Sequence, residues 1–394
     1  MEQMKEQSFV FRLIDSALMG KAWNQIPENL DWQYICNLCS YHKIDNLISY
    51  AIEYADRDIR DKIPNQVQKF LYSAQQKGLA REATQYFSLE ELQQKFEENK
   101  IDNIPLKGAQ LKSYYPSPDM RFLTDLDILC HNKDADSIAR IMKELGYILE
   151  HGGGHHDVYV REPFMTVEIH WICSTENKEM NNLFEDIWYR CQKWDGFKHS
   201  YRMPWEDYYV YMIGHMVKHL KYGGIGIRML LDLYIFEEKL KGSCDWRYVE
   251  CNLENSGVLR FAQTMSQFLQ RCLKGEATLQ EDYILMEHIM ENGAHGTIEN
   301  YNGVRFLKDG GNKSSILKNK VLFIVRILFP TLESMKQLCH YVERYPILLP
   351  VAWIDRLVKK TLFENKKSIR SLKDATCAHN IQKVDKVCRA AGLY

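Results

Sequence analysis

Asp125 and Asp127 stand one residue apart in the run from Arg121 to Cys130, and no other stretch of this 394-residue chain restricts its fold as much. In an extended strand, residues i and i+2 share a face, so the two carboxylates project together. Leu126, Ile128 and Leu129 supply the apolar side of such a strand. Neighbouring carboxylates repel one another unless a cation lies between them. Mg²⁺ suits that position, because it takes one or two carboxylates together with the phosphates of a substrate. A bare Asp-x-Asp is equally compatible with a solvated strand end, so its surroundings decide.

Those surroundings alternate between strand and helix patterns. Ile104 to Leu106 read as a short strand ending at Lys107-Gly108, with a helix opening from Ala109 and a Pro-rich loop over 116–119. The stripe Ile138, Ile141, Met142 and Leu145 predicts a helix over 134–145, stopped at Gly146. Val158 to Val160, a turn at 161–164, and Met165 to Trp171 read as a β-hairpin. This succession argues for a compact α/β unit. Glu168 lies mid-strand between Val167 and Ile169, with His170 on its own face. On a strand beside Asp125 and Asp127, it would complete a three-carboxylate cluster able to hold two metals about 4 Å apart. Such a cluster suits phosphoryl-type transfer, in which the protein positions groups and neutralises charge.

Helical periodicity dominates elsewhere. Residues 1–100 form a helical N-terminal region, including an uninterrupted stretch from Pro64 to Lys100. Residues 101–200 form the candidate catalytic core, 201–300 a helical domain, and 301–394 a basic helical C-terminal region. The segment 293–315 reads as a flexible loop from its Gly and Asn content. The expected class is α+β, a small mixed sheet flanked by N- and C-terminal helices.

Net charge is −1, but the average conceals an asymmetry. From Arg305 onward there are 18 Lys and Arg against 7 Asp and Glu, an excess of +11 that leaves −12 for the rest. Lys359-Lys360 and Lys366-Lys367, interleaved with Trp353, Leu357 and Phe363, would suit a polyanion such as RNA, an anionic membrane surface, or a plain solvated face. The 11 cysteines follow no framework spacing. The start lacks the apolar core of a signal peptide, and the most apolar run, Val321 to Phe329, is too short to span a bilayer and contains Arg326. Reduced thiols in a cytoplasmic protein are expected. Cys36 and Cys39 have the spacing of half a zinc site, but with no second pair a shared buried helix face is the simpler reading.

Leu106-Lys107-Gly108, Arg121, Asp125-x-Asp127, His156 to Tyr159 and Val167 to His170 together resemble the uncharacterised nucleotidyltransferase-like proteins of the polymerase-β superfamily. The likeness extends through Trp205-Glu-Asp, His215-x-x-x-His219, Gly223-Gly224 and Arg228-x-x-x-Asp232, and so covers most of the chain from about residue 30. It implies a nucleotidyltransferase using Mg²⁺ and a nucleoside triphosphate, ATP among the choices. Asp125, Asp127 and Glu168 would then be catalytic metal ligands. Lys107, Gly108 and Arg121 would bind the nucleotide. Lys107-Gly108 replaces the superfamily's Gly-Ser, at a longer distance from the Asp-x-Asp. The acceptor would be RNA, tRNA included, or a small molecule. A non-catalytic nucleotide sensor or interaction module on the same fold is the alternative.

Other residues carry two readings each. Arg121 suits either a triphosphate or a structural ion pair. His151 to His156, with three glycines between, reads as a hinge. His215 and His219 have the spacing of a helical metal pair but lack the glutamate of a zinc hydrolase. Lys218 and Arg228 are further candidates for nucleotide or acceptor, and Arg228 would otherwise pair with Asp232 one turn on.

Overall fold

A computed structural model describes residues 4–152, 154–173, 177–294, 329–332, 335, 342, 345–363 and 378–393. The expected loop over 293–315, most of Val321 to Phe329, and Lys366-Lys367 lie outside the described residues, except for the ends of the first two. Helices precede the sheet: α1 (Met4–Met19), α2 (Trp32–His42), α3 (Asp45–Glu53), the single turn α4 (Arg57–Arg60) and the 34-residue α5 (Asn65–Glu98). Asp31 caps α2 through its side chain, and Lys43 closes it in the left-handed region. Cys36 and Cys39 are both buried on α2.

The sheet order is β1 (Asn103–Pro105), β2 (Leu126–Cys130), β5 (Met165–His170), β4 (His156–Arg161) and β3 (Ile148–His151). β2 runs parallel to β5, and every other pairing is antiparallel. A mixed sheet with flanking helices is the expected α+β arrangement. The four-residue α6 (Gly108–Leu111) follows β1, and α7 (Ala135–Glu144) follows β2.

Period-two alternation divides the sheet between two tasks. Leu126, Ile128, Val167 and Ile169 point to one face and pack with Leu89, Leu92 and Phe96 of α5 and Ile138, Ile141 and Met142 of α7. Burying each such side chain contributes about 1.5–3 kcal/mol. The register is therefore strongly specified, because a one-residue slip would turn charges into this core. Asp127, Glu168 and His170 occupy the opposite face.

The chain continues through α8 (Lys178–Glu185), α9 (Ile187–Arg190), α10 (Trp205–Tyr222), α11 (Ile227–Leu240), α12 (Trp246–Asn255), α13 (Leu259–Lys274) and α14 (Gln280–Asn292). Gly226 precedes α11 where backbone passes close by: an added Cβ would lie 2.1 Å from the Gly293 carbonyl oxygen. One compact unit comprises residues 1–218, 225–294 and 391–393, and a second comprises 219–224, 295–390 and 394. Within the second, α15 (Leu349–Phe363) includes Lys359-Lys360 and buries Ala352 with Met335 and Val342, and α16 spans Ala378–Ala390. Among the described residues, no helix is long and apolar enough to cross a membrane.

Candidate active site

Strand pairing builds the site. In the β2–β5 register Asp127 is directly opposite Glu168, and Leu129 opposite His170. β4 adds His156 opposite His170, with the two rings 5.2 Å apart. The His170 ring nitrogen Nε2 lies 2.7 Å from Asp127 Oδ1 and 3.3 Å from Glu168 Oε2. Asp127 is almost wholly buried, its side chain 3% exposed against 22% for Glu168.

Lys107 reaches the same oxygen from the end of β1. Its Nζ is 2.7 Å from Asp127 Oδ1. The backbone carries it there: the Leu106 N–H donates to the Asp127 carbonyl at 2.8 Å, and the Tyr208 hydroxyl donates to the Lys107 carbonyl at 2.8 Å. Lys107 has φ 49°, in the left-handed half of conformational space that non-glycine residues seldom adopt. Such a backbone conformation persists only where its surroundings over-determine it. Gly108 sits in close contact beside it, because an added Cβ would lie 2.2 Å from Leu123 Cδ2 and 3.2 Å from Arg121 Cζ.

The charges are strongly coupled. Burial alone would raise the Asp127 carboxyl, but the Lys107 ammonium and the His170 ring outweigh it and hold this group well below the usual carboxylate range. The hydrogen bond from His170 likewise lowers Glu168. Burial disfavours charge on His170 and Lys107, yet contacts with Asp127 leave both above their ordinary values. Asp125 moves the other way, pushed up by burial and by the charge of Asp127, with Lys107 opposing.

The structure thus gathers Lys107, Asp127, Glu168 and His170. Asp125 immediately precedes β2 and accepts from the Thr124 hydroxyl at 3.0 Å, outside the tightest cluster. Arg121 is turned elsewhere: its Nε and one terminal nitrogen grip both carboxylate oxygens of Asp232, each at 2.6 Å. The Tyr115 hydroxyl adds a third bond to Asp232 at 2.8 Å. The helical pairing of Arg228 with Asp232 suggested by their spacing is therefore replaced by a longer-range ion pair. His215 lines a small cavity with Lys107, Arg121 and Tyr208.

Asp127, Glu168 and His170 each offer a ligand atom within 4.8 Å of the others. Among the described residues neither Cys36 with Cys39 nor His215 with His219 belongs to such a group. Two carboxylates and an imidazole, with Asp125 alongside, suit a divalent cation. Hard oxygens favour Mg²⁺, and the imidazole extends the range to Mn²⁺. The buried Asp127 already draws a cationic group, the Lys107 ammonium, to its side. Tyr208 is the residue that the motifs leave out of the site. His170, two residues after Glu168 on the same strand face, is placed by the sequence to orient that carboxylate, and in the structure its ring nitrogen reaches Asp127 as well.

No curated protein and no solved structure matches the chain. A family model described as an uncharacterised nucleotidyltransferase matches residues 28–274, ending at the last residue of α13. That span exceeds half the chain and includes every member of the cluster just described, so the protein belongs to this uncharacterised nucleotidyltransferase family.

Proposed function

We propose that the protein transfers a nucleoside monophosphate from a nucleoside triphosphate to a hydroxyl group of an acceptor, releasing pyrophosphate. The observation that carries this reading is the placement of Asp127 opposite Glu168 on paired strands, with Lys107 Nζ 2.7 Å from Asp127 Oδ1. Asp125, Asp127 and Glu168 would hold a divalent cation, Mg²⁺ by preference, which when bound supplies positive charge against the triphosphate. Glu168 is the more exposed of the two paired carboxylates and is held deprotonated. It is suited to take the acceptor's proton as the hydroxyl oxygen bonds to the α-phosphorus and the bond to the pyrophosphate oxygen breaks. His170 fixes both carboxylates through one ring nitrogen. Lys107 is placed to share its charge between Asp127 and the incoming phosphates.

For the acceptor, the basic composition after Arg305 favours RNA, tRNA included, over a small molecule. The test is transfer of label from the α-phosphate of each of the four nucleoside triphosphates to RNA and small-molecule acceptor pools. Asp127→Asn is expected to abolish transfer while leaving the circular dichroism spectrum unchanged. Full transfer by that variant would overturn the proposal. Tight, salt-sensitive binding of tRNA would support the RNA acceptor, and its absence the small molecule.

A further inference from the structure

With Arg121 committed to Asp232, a different guanidinium has no ion-pair partner among the described residues. Arg228, in the first turn of α11, donates to the Phe122 carbonyl at 2.9 Å and to the Ala294 carbonyl at 3.4 Å. Its Nε is buried and has no hydrogen-bond partner. Among the described residues no carboxylate pairs with it. Asp232, one turn away on the same helix, has both oxygens occupied by Arg121 and one of them also by Tyr115.

A second guanidinium shares the position. Arg81 of α5 packs 4.7 Å from the centroid of the Phe122 ring and 4.8 Å from that of Phe164, and Arg228 lies 5.5 Å from the same Phe122 ring. Arg81 makes no hydrogen bond or ion pair among the described residues. Of the nearby carboxylates, Glu82 pairs with Lys112 at 2.8 Å, and Asp119 accepts from Tyr50 at 2.9 Å through Oδ1, its Oδ2 being buried without a hydrogen-bond partner. Phe122 is three residues before Asp125, a separation of at most about 10 Å along an extended chain. Asp125 is close enough for its charge to act on Arg228.

Desolvating a guanidinium without an anion is unfavourable, and a buried donor without an acceptor adds to the cost. Planar, forked donors match phosphate oxygens two at a time. We propose that Arg228, with Arg81 packed on the same Phe122 ring, forms the subsite for the terminal phosphates of the donor nucleotide, and that Arg121 serves to hold Asp232. This rests on the transferase reading for the identity of the donor. Burial and the nearby charge of Arg121 lower Arg228 to about 10, which an arriving anion would reverse.

Calorimetric titration of the full-length protein with inorganic tripolyphosphate, in the presence of a chelator, separates this subsite from the metal site. Arg228→Met is expected to weaken binding by about tenfold or more without lowering Tm, because it removes an unpaired buried charge. Arg81→Met is expected to weaken it by about threefold. Arg228→Lys keeps the charge but loses the fork, and should fall about threefold. If the methionine variant does not fold, the lysine variant decides. Affinity equal to wild type in the deciding variant, or no tripolyphosphate binding by the wild type, would overturn the proposal. Parallel titrations use a non-hydrolysable nucleoside triphosphate and a 5′-phosphorylated oligonucleotide. A loss confined to the oligonucleotide would assign the subsite to an acceptor phosphate and overturn the donor assignment. If Arg228→Met loses tripolyphosphate while Asp127→Asn changes no metal-dependent nucleotide binding, the anion subsite stands and the transferase reading fails.

Discussion

Lys107 Nζ and Asp127 Oδ1 are 2.7 Å apart, and the lysine that makes this contact has φ 49°. An ammonium therefore occupies the charge-neutralising position beside the most buried carboxylate of the site, at a backbone conformation that works against it. Replacing Lys107 by Met leaves Asp127 with His170 as its cationic neighbour, and the expected loss of stability is on the order of 3 kcal/mol. Lys107→Gly removes the same charge but relieves the backbone, and is expected to lose about 1 kcal/mol less. Urea denaturation of the two variants measures both. Mn²⁺ or Mg²⁺ should raise Tm further in Lys107→Met than in wild type, since the cation then has no competitor for Asp127.

Gly108 sets how closely the Lys107 turn approaches Leu123. Gly108→Ala introduces a methyl group 2.2 Å from Leu123 Cδ2. The overpacking is expected to cost about 1–3 kcal/mol and to displace Lys107. Nucleotide affinity should fall with Tm. A variant that kept wild-type Tm and affinity would show that the close approach is unimportant.

Arg121 and Asp232 are buried partners, with side chains 12% and 10% exposed. Removing either alone, by Arg121→Met or Asp232→Leu, strands the other and is expected to cost about 3–5 kcal/mol. The double variant should be more stable than either single one. A double-mutant cycle by chemical denaturation reads this coupling. Additive losses would argue against a shared ion pair.

His42 contributes a pH dependence away from the site. It is fully buried, and burial pushes it down to about 4. Because the folded value lies below the unfolded one of about 6.5, folding favours the neutral ring. Its contribution is complete above pH 6.5 and is lost as pH falls toward 4. The difference amounts to about 3 kcal/mol at most. His42→Gln should flatten the fall in stability between pH 6.5 and 4.5 relative to wild type, as measured by urea midpoints across that range.

What could be seen in the sequence follows from which interactions are local. The stripes of α5 and α7 and the β4–β5 hairpin are periodic patterns within one segment, and they appear where the pattern places them. Asp127 and Glu168 could each be assigned to a strand face by alternation. Their direct opposition depends on the parallel pairing of β2 with β5 through an intervening helix and hairpin, which no local pattern specifies. β3 escaped notice because it is an edge strand whose four residues are all exposed, so it carries no alternation. β2 begins one residue later than the motif suggested, which leaves Asp125 at its entrance rather than within it. The Arg121–Asp232 pair joins positions 111 residues apart. Helical spacing drew attention to Arg228 and Asp232 instead, because i, i+4 neighbours are the contacts a sequence displays.

The most direct test of the transferase site is calorimetric titration with non-hydrolysable analogues of ATP, GTP, CTP and UTP, with and without Mg²⁺, for wild type and Asp127→Asn. The account predicts Mg²⁺-dependent binding of at least one analogue by the wild type, lost in a variant that remains folded. Equal binding by both proteins, or binding by neither, would contradict it.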